Sequence, residues 1–240
     1  MKIGFGIFCF YFVNCRKTKK NMLFPFIVSL VGLFFLLANA IRFAITCKNR
    51  DVSYRILTIY LILLFCVELF SNIIGFLYPN SNFFLSHYYF IFQFITLNLF
   101  FYKSFSNVTL KRIMVIVFIS VLLFLGFQYY NKPSLYWEFN LAEVAITSVP
   151  LLFYAFYFII SNFKKHNHNY FYFCNGLIVY VTSSAGVFLS GNSDSVLATE
   201  PFIIDFWFFN SLFYILYQFL IYKEWKILNF RRTTKRKFQY

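Results

Sequence analysis

The sequence predicts an all-α fold: a polytopic transmembrane bundle of seven helices, N-terminus outside and C-terminus cytoplasmic. Three observations carry this. Seven apolar stretches of about 18 to 24 residues recur along the chain, and about 20 suffice to cross a bilayer core. Of 240 residues 60% are hydrophobic and only 12% charged, against about 25% charged in a soluble domain. The charges also fall in short loops between the apolar stretches. The alternation of a barrel strand is absent, so helices are the expected spanning form, because lipid leaves no backbone group to be satisfied by water.

Residues 1–21 form a separate N-terminal segment. Ile3 to Val13 is apolar but too short to span, and no small-residue cleavage site follows it. The basic cluster Arg16-Lys17-Thr18-Lys19-Lys20 comes next. The segment is expected to be either an over-long start, with Met22 the biological one, or a strip lying on the membrane surface.

The seven-helix domain is expected over residues 22–222. Its spans are Met22–Ile45, Ile56–Leu77, Phe83–Tyr102, Ile113–Tyr130, Phe139–Ile160, Tyr170–Ser190 and Phe202–Tyr222. The second and third are joined by the short turn Pro79-Asn80-Ser81-Asn82, and the other helices are expected to pack around this hairpin. Pro150 should kink the fifth helix. The small-residue run Thr182-Ser183-Ser184-Ala185-Gly186 should let the sixth approach a neighbour closely.

Charge placement sets the orientation. Lys48, Arg50, Arg55, Lys103, Lys111, Arg112, Lys164, Lys165 and seven basic residues of the tail fall on one side; the loops between helices on the other side contribute Lys132 alone. The positive-inside rule makes the rich side cytoplasmic, and Arg42 can snorkel to it. The basic cytoplasmic tail, 223–240, mixes Trp225, Ile227, Leu228 and Phe230 with its cations, as an interfacial segment against an anionic inner leaflet would. It is too short to build a core, so no catalytic domain is expected there.

The net charge of +14 is explained by this membrane-facing distribution, and no nucleic-acid-binding motif accompanies it. The aromatic share of 25%, with 39 Phe and 19 Tyr, is read as the product of AT-rich coding rather than as a ligand cage. Cys9, Cys15, Cys47, Cys66 and Cys174 contain no C-x-x-C pair and read as free thiols.

Polar groups at membrane depth are the candidate site: Glu68, Asn72, His87, Glu143 and Asp205. Glu68 has no helix end to stabilise it. It needs a partner, either His87 across the hairpin or Arg42, or must be neutral. Glu143 and Asp205 sit near helix N-termini, where the macrodipole favours a carboxylate, and His87 in a first turn could equally be a structural hydrogen-bonding group. A single polar pocket opening outward between the second, third, fifth and seventh helices would unite these residues. Asn98, Asn210 and Gln218 read as interhelical hydrogen bonds. The loop Gly191 to Ser195 reads as a turn. His166 and His168 lack a nearby third ligand, so neither metal nor cofactor is expected, and no HExxH, GxSxG or P-loop motif points to catalysis.

Glu68, then Asn82-x-x-Leu85-x-His87-x-Tyr89 and Gln93-Phe94, resembles a pattern in a group of small multi-pass membrane proteins of Bacteroidota. The pattern departs at Ser86, where an aromatic residue is expected, and at Gln93, where Glu is. The resemblance implies a sensor-like module of the bacterial inner membrane, similar in layout to the membrane halves of sensor kinases, with a cytoplasmic or membrane signalling partner and no assigned activity. The function expected is ligand sensing or signal transduction. A small ion-coupled transporter, with Glu68 as its proton site, is the alternative, followed by a structural membrane subunit and an intramembrane enzyme acting on lipid.

Overall fold

A computed structural model describes residues 23–78, 82–138, 140–164, 169–190 and 206–237. Among them are seven α-helices and no strand: α1 (Leu23–Thr46), α2 (Val52–Leu77), α3 (Phe84–Ser104), α4 (Val108–Asn131), α5 (Leu141–Lys164), α6 (Phe171–Ser190) and α7 (Phe206–Lys237). A 3-10 turn, Pro133–Trp137, joins α4 to α5.

Local chemistry explains where the helices start and stop. α2 begins at Val52, ahead of its apolar run, because the Asp51 carboxylate accepts the Tyr54 N–H at 3.3 Å and satisfies an unpaired first-turn donor. α4 begins early for the same reason: Asn107 Oδ1 accepts the N–H groups of Thr109 and Leu110 at 2.9 and 3.3 Å. Asn82 ties the α2–α3 hairpin, its amide donating to the Ser71 carbonyl and hydroxyl at 3.0 Å each. Pro150 lies within α5, which continues past it.

α7 differs most from expectation. The helix does not stop at Tyr222 but runs on to Lys237 as one element of 32 residues. The first part of the expected tail is packed into the bundle: Glu224 is fully buried, and the Trp225 indole donates to the Arg42 carbonyl at 3.2 Å and the Thr46 hydroxyl at 3.1 Å. Interior contacts have extended the helix beyond the apolar run that marks it in sequence.

Helix neighbours trace a closed ring, α1–α2–α3–α5–α6–α7 and back to α1. The α2–α3 hairpin is therefore part of the wall and not the centre, contrary to the expectation that the other helices surround it. Skipping α4 leaves α3 beside α5, both running toward the same end. α4 sits outside the ring against α3, α5 and the 3-10 turn, with only Met114, Val121 and Leu125 buried.

The interior of the ring is filled by large side chains, among them Tyr60, Phe100, Phe173, Tyr214 and Tyr217, while Phe94 of α3 stacks on Phe118 of α4. Packing rather than hydrophobicity must hold such a bundle where lipid surrounds it. Two glycines let α7 in: a Cβ on Gly32 of α1 would lie 2.9 Å from a Tyr214 ring carbon, and one on Gly176 of α6 would lie 2.8 Å from Tyr217. In the small-residue run of α6, Ser184 makes the close approach, donating to Asn210 Oδ1 of α7 at 2.9 Å.

The surface is the inverse of a soluble protein's. Phe34, Ile45, Phe70, Ile116, Leu123, Phe127 and Phe153 face outward, while Asn39, Gln93, Asn98, Asn210 and Gln218 are buried. An apolar exterior this extensive needs lipid to cover it. Four helices, α2 to α5, are long and apolar enough to cross a membrane, and α1 carries a shorter apolar run, Leu30–Thr46. The chain is thus an all-helical protein of membrane type.

Candidate functional site

The first polar node lies where α3, α4 and α5 meet. Asn140 precedes α5, and its Oδ1 accepts the Glu143 N–H at 3.3 Å, setting Glu143 in the first turn. Glu143 Oε2 lies 2.5 Å from His87 Nδ1 of α3. The Tyr129 hydroxyl of α4 donates to the same carboxylate oxygen and lies 2.8 Å from Nδ1. On its far side His87 Nε2 is 3.2 Å from the Tyr136 carbonyl. A carbonyl can only accept, so Nε2 carries a proton. Gln128 and Asn140 close the node with paired amide bonds of 3.3 and 3.0 Å. The Tyr136 ring stacks on His87 at 5.9 Å between centroids, and its hydroxyl bonds Tyr88 at 3.2 Å, which holds the Tyr136 phenol above its usual range.

The second node fills the ring. Glu68 of α2 is buried, and its Oε2 has no hydrogen-bond partner. It lies within electrostatic reach of Tyr89 of α3, Tyr180 of α6 and Tyr214 of α7. Two phenol pairs bridge helices in this interior: Tyr89 with Tyr180 at 3.2 Å, and, about two turns along α2 from Glu68, Tyr60 with Tyr217 of α7 at 3.0 Å. The Tyr214 hydroxyl and one amide nitrogen each of Gln93 and Asn210 are buried without partners. Among the described residues, four helices thus converge on one carboxyl with neither a paired cation nor a hydrogen bond at Oε2.

The third node ties the opposite end. Glu224 of α7 accepts the backbone N–H of Tyr170 at 2.6 Å with one oxygen, and those of Tyr172 and Phe173 at 2.9 and 3.4 Å with the other. A carboxylate from one helix therefore caps the start of another. The Tyr170 hydroxyl donates to Asp51 at 2.9 Å. Arg50 donates to Leu228 O at 3.3 Å and to Asn229 Oδ1, and lies over the Tyr54 ring at 4.7 Å. Ser53 at the start of α2 meets Ser104 at the end of α3 at 3.1 Å. These contacts gather Arg50, Lys103, Lys223 and Lys226 at one end of the bundle, away from His87.

The expected site residues are distributed over these nodes. His87 and Glu143 come together; Glu68 stands apart from them. His87 is not the partner of Glu68, because Glu143 and Tyr136 occupy both its ring nitrogens. Arg42 is not the partner either: its guanidinium lies over the Tyr222 ring at 4.9 Å. Asn72 serves its own helix, donating to the Glu68 backbone carbonyl at 2.7 Å. The single pocket is therefore replaced by two nodes. Asp205, residues 1–21, the turn at 79–81, His166, His168 and residues 191–195 lie outside the described residues. Among those described, Cys47, Cys66 and Cys174 are free thiols, and no three His, Cys, Asp or Glu side chains group to hold a metal.

Sequence reasoning misses Tyr129, the buried tyrosine set and Glu224. Part of the tyrosine set carries a usable signal: Tyr214 and Tyr217 stand three apart on α7 and so share a face. Tyr129 and Glu224 carry none, because their partners lie on other helices. No known protein family, curated protein or solved structure matches the chain.

Proposed function

We propose that this chain is a seven-span protein of the bacterial cytoplasmic membrane that senses a ligand or a charge change in its bundle and transmits a helix shift to a cytoplasmic partner. The observation that carries this reading is α7. Its Tyr214 lies within electrostatic reach of Glu68, its Tyr217 is bonded to Tyr60 of α2, and the same helix continues to Lys237. At 1.5 Å per residue its 32 residues extend about 48 Å, well past the roughly 30 Å of a bilayer core. A change at Glu68 that repacks Tyr214 would move a basic helix projecting from the membrane. The grouping of cations at that end supports a cytoplasmic assignment for it, with the Met22 end outside. The resemblance of the Glu68-to-Phe94 hairpin to Bacteroidota membrane proteins supports a sensor-like role.

The test places spin labels near the start of α2 and on the α7 extension of the protein in nanodiscs. Glu68→Gln should shift the distance distribution while helix content stays at the wild-type level. An unchanged distribution would count against transmission through α7.

The unpartnered carboxyl oxygen of Glu68 also favours a second reading, a proton-coupled carrier. Uptake of a solute into proteoliposomes that follows an imposed pH gradient and fails in Glu68→Gln would select it.

A further inference from the structure

Between α3, α5 and α6 a narrow cleft lies close to the His87–Glu143 node. Tyr89, Gln93, Ser148, Tyr180 and Ser184 contribute its polar lining. Tyr89 and Gln93 follow His87 on α3, and Ser148 follows Glu143 on α5, so the cleft begins about one turn deeper than the node. Its free space fits about one water molecule and nothing larger.

Gln93 gives the cleft its chemistry. The side chain is 3% exposed and its amide nitrogen has no hydrogen-bond partner. The Tyr60 phenol lies close to this amide but outside hydrogen-bonding geometry, and it is already paired with Tyr217. A buried N–H left unpaired is costly, and most such groups in folded proteins are paired, to protein or to ordered water. A buried water needs two to four polar partners. The Tyr89 and Tyr180 hydroxyls, 3.2 Å apart, and the Ser148 hydroxyl belong to residues on the same cleft as the Gln93 amide.

We propose that this cleft binds one ordered water, which accepts a hydrogen bond from Gln93 and donates to the hydroxyls of Ser148 and the Tyr89–Tyr180 pair. Both phenols are within electrostatic reach of Glu68. The water would therefore be held by hydroxyls that feel the charge on Glu68, and its dipole could reorient when that charge changes. This role rests on the reading of Glu68 as the switch; the water site itself does not.

Radiolytic hydroxyl-radical labelling of the protein in nanodiscs, read residue by residue by mass spectrometry, tests the site, because radiolysis of a bound water oxidises its neighbours. Tyr89 and Tyr180 should be oxidised several-fold faster than Tyr214 and Tyr217, which are also buried but do not line the cleft. Ala185→Leu, which fills the cleft, and Gln93→Leu, which removes the amide, should each abolish the excess. Equal labelling of the four tyrosines in the wild type would overturn the proposal whether or not the variants fold, as would an excess that survives both substitutions. Equal labelling would leave the α7 distance experiment standing. Excess labelling with unchanged α7 distances would keep the water and remove the switch.

Discussion

His87 and Glu143 are 56 residues apart in sequence, yet Nδ1 and Oε2 meet at 2.5 Å. Tyr129 of α4 joins the same oxygen. This node is the main polar attachment of α4, whose buried apolar side chains number only three. Tyr129→Phe should cost about 1–2 kcal/mol. Hydrogen exchange should quicken at the amides of residues 121–131 while those of α2 and α6 keep their wild-type rates. Slowing or no change in α4 would mean that lipid and packing alone hold it.

Glu224 caps α6 from α7, receiving three backbone N–H groups. Glu224→Ala leaves them without that acceptor in a buried setting and should cost about 3 kcal/mol. Glu224→Gln retains one acceptor oxygen and should lose about half as much. Denaturant unfolding in mixed micelles gives both values. Equal losses for the two variants would show that charge, not the number of accepting oxygens, decides the matter.

Gly176 and Gly126 form a matched pair. A methyl group at Gly176 would press on the Tyr217 ring at 2.8 Å and on Leu220 at 3.2 Å, whereas at Gly126 it would meet nothing within 4 Å. Gly176→Ala should destabilise the α6–α7 contact by about 1–3 kcal/mol. Gly126→Ala should be neutral or stabilise by up to about 1 kcal/mol through helix propensity. Thermal unfolding of the two variants side by side checks the sign as well as the size.

Orientation is open to a direct labelling experiment. Lys48 and Lys132 are both exposed; Lys48 follows α1 beside Arg50, and Lys132 follows α4 at the opposite, His87 end of the bundle. In a background without native cysteines, Lys48→Cys should react with a membrane-impermeant maleimide only after the cytoplasmic face is opened, and Lys132→Cys in intact cells. The reverse pattern would invert the proposed topology.

Hydropathy makes the helices legible because a span is a property of a continuous segment. The ends expected at Ile45, Leu77, Tyr102, Tyr130, Ile160 and Ser190 fall within about a turn of the observed ones. The end of α7 does not, because contacts with Arg42, Thr46 and Tyr170 bury the start of its extension and no local composition reveals them. The site is legible one residue at a time. His87, Glu143 and Glu68 stand out as ionisable groups in apolar surroundings, but which faces meet depends on how each helix is rotated about its axis. That is why sequence offers His87 or Arg42 as a partner for Glu68, or a neutral carboxyl, and does not bring His87 to Glu143. Glu224 is hidden in sequence by the cations around it, which make the segment read as solvated. The tyrosines are hidden by their number, which looks compositional, while a pairing such as Tyr60 with Tyr217 lies 157 residues apart.

The ring closes between the first helix and the last, where the Asn39 amide of α1 donates to Gln218 of α7 at 2.8 and 3.0 Å across 179 residues. During biosynthesis that seam must stay open until α7 has left the ribosome. Until then Asn39 lacks both of its Gln218 acceptors, and the Glu68 node lacks Tyr214. A chain cut short before α7 would leave the Asn39 amide without those acceptors in lipid, an unpaired polar group that costs free energy at membrane depth.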